Sequence, residues 1–438
     1  MGGIGVFRRR PGARHDRGGH RPDLPSEVNP VVNEVDRVPD NQQIPSRGGN
    51  DSRSRRDGTD RKRVRRPGLG VGGWQLLRDP HRRVAAPRGL HRHVRRGREG
   101  GRGRVLQGAQ RPGGVNGHKI EWTVKDNAAD PQQTVQIARQ LVGQDKVVAI
   151  VNANGTSQAE AAFPFVLNQS KVPVLNEVGG AENWYKPPRA GLFGTQTLYE
   201  DQAAAVAAWA VQDGAKKILV VHSDPAAFVN VAEQVAPVAK KVDPSVEVDR
   251  LPVKYQTTDY TPVISKVKSA KPQAVILILT SPEAAAFLKE AKLQGLSLPT
   301  YAYAPVAAES TIALAKDAAE GLKAVQLVKA PSDDDPAVKE FRSAMAKYEP
   351  GQTAGFLALW GWSNAKVFAE VAKTVKGPVT AQSLTAAYQK ATKVDPGVSP
   401  VMSFSAGNHL GTRSVQKIVV KNGVWTSVGD FYTPPARD

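Results

Sequence analysis

The chain has 438 residues, with 60 lysines and arginines against 41 acidic residues, and it contains no cysteine. The lack of cysteine excludes disulfides, thiol nucleophiles and cysteine-ligated zinc within this chain. A formal net charge of +19 would ordinarily favour a nucleic acid or an anionic membrane surface as partner, but the charge is unevenly distributed.

The basic residues change from arginine to lysine near Pro112. Residues 1–112 contain 26 arginines and one lysine against 11 acidic residues, whereas residues 113–438 contain 33 basic and 30 acidic residues. The excess positive charge is therefore +16 before the change and +3 after it. An inference from charge to an anionic partner applies only to the first part of the chain.

Three interpretations of residues 1–112 remain open. Glycine and proline are frequent and apolar residues rarely recur at a helix or strand period, so the segment fits a disordered basic arm that binds nucleic acid. It also fits a solvated tail without function. We favour a third interpretation, in which a GC-rich gene is read out of frame, because such translation is rich in Arg, Gly, Pro, Ala and His.

From Gly113 onward, short apolar runs alternate with amphipathic stretches. The predicted strands are 119–124, 146–152, 172–175, 217–222, 246–253, 274–279 and 299–304, and the predicted helices are 131–143, 157–169, 226–240, 260–269 and 281–295. Buried apolar runs separated by amphipathic helices indicate parallel strands joined by crossover helices. The sequence therefore predicts an α/β fold with two open, doubly wound, mostly parallel sheets.

The loops that follow the predicted strands are the first place to look for a ligand site. Open parallel sheets bind ligands in the crevice beyond the carboxyl ends of their strands. The loops in question are 152–160, 176–184, 222–230, 280–285 and 304–310. They offer threonine, serine, asparagine, glycine and a few aromatic residues, which suit hydrogen bonding to a small ligand better than acid–base chemistry.

Residues that would support catalysis are scarce after residue 112. The only histidines there, His118, His222 and His409, lack the spacing of metal ligands, and His222 at a strand end reads as a structural residue. The segment GTSQAE lacks the lysine and second glycine of a phosphate-binding loop. The acidic run 332–341 predicts a helix N-terminus with Pro336 in its first turn, rather than a metal site. We predict no enzymatic activity, no metal and no cofactor.

Several blocks in the second part of the chain resemble one protein family. The longest begins at Gly113 and reads GGVNGHKIEWTVKDNAADPQQTVQIARQLVGQDKVVAIVNANGTSQAEAA; later blocks are KILVVH, KPQAVILI, GWSNAKVFAEVAK and VVKNGVW. They resemble the type I periplasmic binding proteins of the branched-chain amino acid (leucine/isoleucine/valine) group, the substrate-binding subunits of ABC importers. The resemblance covers about 113–438, and the family's first strand with its PLTG-like ligand loop has no counterpart there.

The resemblance implies two similar α/β lobes, joined by three crossover strands, that close on a ligand. It assigns 113–197 and 326–395 to lobe one, without the family's first strand and helix, and 198–325 and 396–438 to lobe two. Residues 1–112 fall outside both lobes. Hinges of this kind let each lobe stay rigid while contacts to the ligand favour the closed population.

The resemblance also implies ligand contacts from lobe one. The loop whose hydroxyls and amide N–H groups hold the ligand carboxylate corresponds to Asn154, Gly155, Thr156 and Ser157, directly before a helix N-terminus that suits an anion. The contribution of the next loop falls at Val178, Gly179 and Gly180. The alternative for Thr156 and Ser157 is that they only cap the helix.

In lobe two, the aromatic residue that packs on the ligand corresponds to Phe228, and the next strand's loop corresponds to Thr280 and Ser281. The alternative for Phe228 is an ordinary core position. One departure concerns the acid that balances an amino-acid ammonium in the family, because Pro305 and Val306 stand in its place and Glu309 is only nearby. A small carboxylate, an amide or another solute that is not an amino acid is therefore an alternative ligand.

We predict an extracytoplasmic solute-binding subunit of an ABC importer that captures a small amino-acid-like or carboxylate solute between two lobes. Its expected partners are a small-molecule solute and the membrane permease, with no nucleic acid, and the protein is expected to be a monomer. A non-transport sensor on the same fold and a nucleic-acid binder are the alternative functions. The start MGGIGVFRRRPGARHD has no apolar stretch of a signal peptide, so the predicted location depends on the resemblance.

Overall fold

A computed structural model of the protein describes residues 3–8 and 114–437, and for 3–8 it describes only the backbone. The predicted disordered or out-of-frame segment thus lies outside the described residues, except for one strand. The described strands are β1 (Gly3–Arg8), β2 (Trp122–Asp126), β3 (Val147–Val151), β4 (Val174–Glu177), β5 (Leu192–Gly194), β6 (Lys217–Ser223), β7 (Glu247–Val253), β8 (Ala274–Ile278), β9 (Thr300–Ala302), β10 (Lys323–Gln326), β11 (Val415–Lys421) and β12 (Val424–Tyr432).

The described α-helices surround two sheets. They are α1 (Pro131–Gly143), α2 (Thr156–Phe163), α3 (Tyr199–Gln212), α4 (Ala226–Glu233), α5 (Val235–Val242), α6 (Thr261–Ala270), α7 (Ser281–Leu293), α8 (Glu309–Ala315), α9 (Pro336–Tyr348), α10 (Phe356–Lys373) and α11 (Ala381–Tyr388). A π-helix, Pro164–Gln169, continues α2, and short 3₁₀ helices span Glu182–Trp184 and Lys316–Ala319.

The first sheet has five strands in the order β2-β1-β3-β4-β5, and the second has seven in the order β12-β11-β10-β9-β8-β6-β7. Strands β3, β4 and β5 pair in parallel, as do β6 to β10 in the second sheet, whereas β11 and β12 are antiparallel. Strand β1 lies between β2 and β3 and runs antiparallel to both. These topologies confirm the predicted α/β class with mostly parallel sheets.

Local sequence accounts for several helix starts. Asp130 caps α1 by accepting hydrogen bonds from the N–H groups of Gln132 and Gln133, and a proline follows it. Asp335 caps α9 in the same way, with Pro336 next, so the prediction of a helix N-terminus in the acidic run is confirmed. The predicted helix 226–240 is instead two helices, α4 and α5, separated at Gln234.

Both faces of the first sheet are covered. On one face Val174 of β4 packs with Leu141 of α1 and Phe163 of α2, and on the other Leu175 packs with Phe368 of α10 and Leu384 of α11. In the second sheet, β8 is buried along its whole length, as its apolar run AVILI requires for a central parallel strand. Each sheet therefore has its own core.

The segment 396–438, assigned to lobe two by the resemblance, divides between the two sheets. Met402 and Phe404 lie in the core beneath the first sheet, and Leu410 packs with its other face. Strands β11 and β12 belong to the second sheet. We therefore propose that the last crossing between the lobes lies near 412–414. Among the described residues, no helix is both long and apolar enough to traverse a bilayer.

Candidate functional site

The two predicted lobe-one loops lie side by side. Asn154 forms a parallel bridge with Val178, the Val178 N–H donates to the Ala153 carbonyl at 2.9 Å, and the Gly155 N–H lies 3.4 Å from the Val178 carbonyl. The fold produces this contact because β3 and β4 are adjacent parallel strands whose carboxyl ends meet at one edge. Residues 154–157 and 178–180 thus form one continuous surface.

The N-terminus of α2 has no side-chain cap. The residue before the helix is Gly155, at φ 116°, which is a conformation that favours glycine. Neither Thr156 nor Ser157 caps the helix; the Ser157 hydroxyl donates to Gln158 Oε1 at 3.0 Å. Gln158 Nε2 in turn donates to the Ala129 carbonyl at 2.5 Å, which fixes the loop against the end of β2. First-turn N–H groups and the helix dipole are thus available to an anion.

The two glycines of the second loop are closely packed by neighbouring side chains. A Cβ on Gly179 would lie 2.5 Å from Cζ3 of Trp184, and one on Gly180 would lie 2.7 Å from Nε2 of Gln196. The Tyr199 N–H donates to the Gly180 carbonyl at 3.2 Å and so connects this loop to the first turn of α3. The loop is therefore buried, with the side chains of Trp184, Gln196 and Tyr199 packed against its two glycines.

Phe228 lies on α4 near the carboxyl end of β6 and is half-buried. Its ring centroid is 5.8 Å from that of Tyr255, in the loop after β7, and 40% of Tyr255 is exposed. The Tyr255 N–H donates to Asp224 Oδ1 at 2.9 Å, which holds the two loops together. Phe228 is thus part of a partly exposed aromatic pair as well as a neighbour of the core.

Thr280 and Ser281 use their hydroxyls within the chain. Thr280 is the N-cap of α7 in a capping box with Glu283, and its Oγ1 donates to Glu283 Oε2 at 2.6 Å. The Ser281 hydroxyl donates to the Pro305 carbonyl at 2.9 Å. Their contact with a ligand stays a prediction. The observed hydrogen bonds stabilise the start of α7 and connect it to the loop after β9.

Glu283 connects strand ends at the carboxyl edge of the second sheet. The sequence did not lead us to predict this role. The buried Glu283 carboxylate accepts hydrogen bonds from the Ser223 hydroxyl at the end of β6, from the Gln256 N–H after β7, and from the Thr280 N–H after β8. One side chain therefore joins three strand ends. The pattern T-x-x-E at 280–283 is a capping-box signal that could have revealed it.

A buried amide network supports the lobe-one loops from below. Asn364, in the middle of α10, donates to Asn152 Oδ1 and accepts from the Thr195 hydroxyl at 2.9 Å. Asn176 donates to the Asn364 carbonyl at 2.7 Å and accepts from the Tyr388 hydroxyl at 2.9 Å. The network fixes the ends of β3, β4 and β5 against helices α10 and α11. Buried polar groups that have hydrogen-bond partners make such an edge rigid.

Two acidic residues near the predicted ammonium position accept bonds from backbone groups. Glu309 Oε1 accepts from the Phe356 N–H at 2.5 Å, at the start of α10, and Asp224 accepts from the Tyr255 N–H.

His222 is buried, with Nδ1 2.9 Å from the Ser223 carbonyl oxygen, consistent with a structural residue. Within the described ranges, no group of histidine and acidic side chains could hold a metal ion.

The chain belongs to the periplasmic binding protein family, whose model matches residues 106–424, more than half of the sequence. Its members are solute-binding proteins without enzymatic activity. A relative from Pseudomonas aeruginosa, an amino acid binding protein, is 26% identical over 189 residues, which are 42% of this chain and 49% of the relative. Another from the same organism, a leucine-, isoleucine-, valine-, threonine- and alanine-binding protein, is 25% identical over 269 residues, 61% of this chain and 70% of the relative. The chain thus spans about half the length of the first relative.

Solved structures share the fold at lower identity. A branched-chain amino acid ABC transporter protein from Thermus thermophilus with bound valine has a TM-score of 0.65 and 18% identity, covering 77% of this chain and 92% of its own. A solute-binding protein of an ABC transporter from Rhodopseudomonas palustris, in complex with 3,4-dihydroxybenzoic acid, has a TM-score of 0.65 and 22% identity, covering 78% and 93%. The predicted family and the two-lobe type I periplasmic binding protein fold are confirmed.

Proposed function

We propose that the protein captures a small solute bearing a carboxylate and delivers it to the membrane permease of an ABC importer, outside the cytoplasmic membrane. The observation that carries the proposal is the uncapped N-terminus of α2, with the Thr156 hydroxyl, beside the loop 178–180. A helix N-terminus without a side-chain cap has N–H groups free to bind an anion, and the dipole favours negative charge there.

The acids around the site support a ligand without an ammonium group. Glu309 and Asp224 each accept a hydrogen bond from a backbone N–H group, and Glu283 accepts bonds from three strand ends. Pro305 and Val306 stand where the resemblance places an acid, and a buried cation without a carboxylate partner is costly. The amino acids named for the two relatives are therefore not assigned to this chain.

The importer role is supported by family membership and by ABC transporter proteins among the structural neighbours. The extracytoplasmic location has the same support. The predicted monomeric state and the absence of a nucleic-acid partner stay predictions.

Calorimetric titration of the full chain tests the carboxylate site. We expect Thr156→Ala to weaken carboxylate binding by about tenfold or more, because a charge-assisted hydrogen bond contributes roughly 1.5–3 kcal/mol. Ser269→Ala removes an exposed hydroxyl on α6 that bonds the Ser265 carbonyl, so this control should bind normally. We also expect 4-methylpentanoate to bind at least as tightly as leucine. Much tighter binding of leucine, or unchanged affinity in Thr156→Ala, would contradict the proposal.

A further inference from the structure

We propose that the solute is an aromatic carboxylate, with its ring held by aromatic side chains of lobe two and its carboxylate at the N-terminus of α2. This inference rests on the proposed function and specifies its substrate class. The observation behind it is a set of aromatic residues at the carboxyl edge of the second sheet: Tyr199, Phe228, Tyr255 and Tyr303.

These rings form two pairs with the geometry of aromatic contacts. Phe228 and Tyr255 are 5.8 Å apart at 42°, and Tyr199 and Tyr303 are 6.3 Å apart at 60°. Both pairs lie at the carboxyl edge of the second sheet, where Tyr255 follows β7 and Tyr303 follows β9. Edge-to-face and tilted arrangements leave ring faces and edges available to a further aromatic ring.

Exposure distinguishes these rings from the core aromatics. Tyr260 and Phe287 form a comparable pair in lobe two, 6.1 Å apart, and both are fully buried. Tyr255 is 40% exposed, and Phe228 and Tyr199 are half-buried. All three lie at strand ends, where parallel sheets bind ligands. An exposed aromatic surface at such an edge is expected to be covered by a ligand.

The lobe-one loop 178–180 adjoins the aromatic set. A Cβ on Gly180 would lie 3.1 Å from Cδ2 of Tyr199. The Tyr199 ring is therefore directly against the loop that borders residues 154–157. A ligand ring packed on Tyr199 thus lies next to the loop that borders the N-terminus of α2.

Polar groups of lobe two offer little to a polar aliphatic ligand. The hydroxyls of Thr280 and Ser281 donate within the chain, and Asp224 accepts from the Tyr255 N–H. Recognition on this side therefore depends on ring contacts. We expect this side of the site to distinguish ligands more by the shape and electrostatics of their rings than by hydrogen bonds.

Calorimetric titration of the full chain with benzoate, cyclohexanecarboxylate and their two amides tests the preference for an aromatic ring separately from the preference for a carboxylate. We expect benzoate to bind about threefold to tenfold more tightly than cyclohexanecarboxylate, which matches it in size but is saturated. Phe228→Leu and Tyr255→Leu should each remove most of that preference while the affinity for cyclohexanecarboxylate changes little. Leu293→Ala is the control, because Leu293 is 80% exposed at the far end of α7 and should leave all affinities unchanged.

Equal or tighter binding of cyclohexanecarboxylate, or a benzoate preference that survives both leucine variants, would overturn the aromatic assignment. The carboxylate proposal would still stand if both acids bound more tightly than their amides and Thr156→Ala removed that difference. Amides that bind as well as the acids would overturn both the proposed function and this inference.

Discussion

Glu177 is the most unusual single residue at the candidate site. It ends β4, directly before loop 178–180, and is fully buried, and neither carboxyl oxygen has a hydrogen-bond partner in the described part of the chain. Burial raises the pKa of Glu177 well above its ordinary value of 4.5. The Tyr185 hydroxyl is likewise buried without a partner, and burial together with Glu177 raises its pKa. Burial therefore favours the neutral form of Glu177 beneath the ligand loop.

This raised pKa predicts a pH dependence of stability. The folded state binds the Glu177 proton more tightly than the unfolded state, so the stabilisation is complete below pH 4.5 and is lost as pH rises through the folded pKa. Glu177→Gln keeps the shape and neutral charge, and we expect its free energy of unfolding to fall less between pH 5 and pH 8. Urea melts at the two pH values measure this. Identical pH slopes for both proteins would show that Glu177 does not titrate as described.

Sequence reasoning at the residue scale succeeded where local pattern and topology were sufficient. It placed residues 154–157 and 178–180 at strand ends, and adjacent parallel strands bring them together. It did not find Glu177, because the burial of a carboxyl group is a tertiary property that no local pattern reveals. Tyr199 and Tyr303 were missed for the same reason, since they are distant in sequence and meet only in the fold.

At the scale of elements, Glu283 links three strands of the second sheet to helix α7. Replacing it with alanine leaves donors of Ser223, Gln256 and Thr280 without their acceptor. We expect Glu283→Ala to lower the free energy of unfolding by about 2–4 kcal/mol, since each unsatisfied buried group costs roughly 1–3 kcal/mol. Glu247→Ala, at an exposed position of β7, is a matched control and should change it by less than about 0.5 kcal/mol. Equal urea midpoints for the two variants would contradict the linking role.

The elements themselves were largely predictable from periodicity. Helix α1 has its predicted bounds, and the predicted strand 274–279 is β8 with one residue fewer. The predicted helix 157–169 changes to a π-helix at Pro164, because proline lacks the N–H group that would continue the α-helical pattern. The separation of α4 from α5 is signalled by Pro237 in the first turn of α5, because proline has no N–H group to bond the carbonyl of Glu233, the last residue of α4.

At the scale of the whole molecule, the C-terminal segment connects elements that pack on different sheets. Arg437 is 8% exposed and bonds Glu182, between β4 and β5 of the first sheet, through two nitrogens, at 2.6 and 3.2 Å, and it bonds Asp201, in helix α3 against the second sheet, at 3.0 Å. Asp201 is also paired with Arg413, at 2.8 Å. Arg437 lowers the pKa of Glu182 to about 2, with a smaller contribution from Lys186. The sequence gives no sign of this network, because its members are up to 255 residues apart.

Removing the guanidinium should weaken the connection between these elements. We expect Arg437→Gln to lower the free energy of unfolding by about 2 kcal/mol, because two charge-assisted contacts are lost while Arg413 still pairs with Asp201. Arg250→Gln removes an exposed pair with Glu233 and should cost less than about 1 kcal/mol. Urea denaturation of the two variants makes the comparison, and a larger loss in Arg250→Gln would contradict the stabilising role of the C-terminal contact.

Hydrogen exchange of the full chain, with and without the carboxylate that binds most tightly in calorimetry, tests the central claim of solute capture between two lobes. We predict that the ligand slows amide exchange at residues 154–158 and 178–180 of lobe one and at 224–229 and 254–256 of lobe two in the same titration. Such joint protection follows from a ligand that contacts the carboxyl edges of both sheets. Protection confined to one lobe, or located away from these four segments, would contradict the claim.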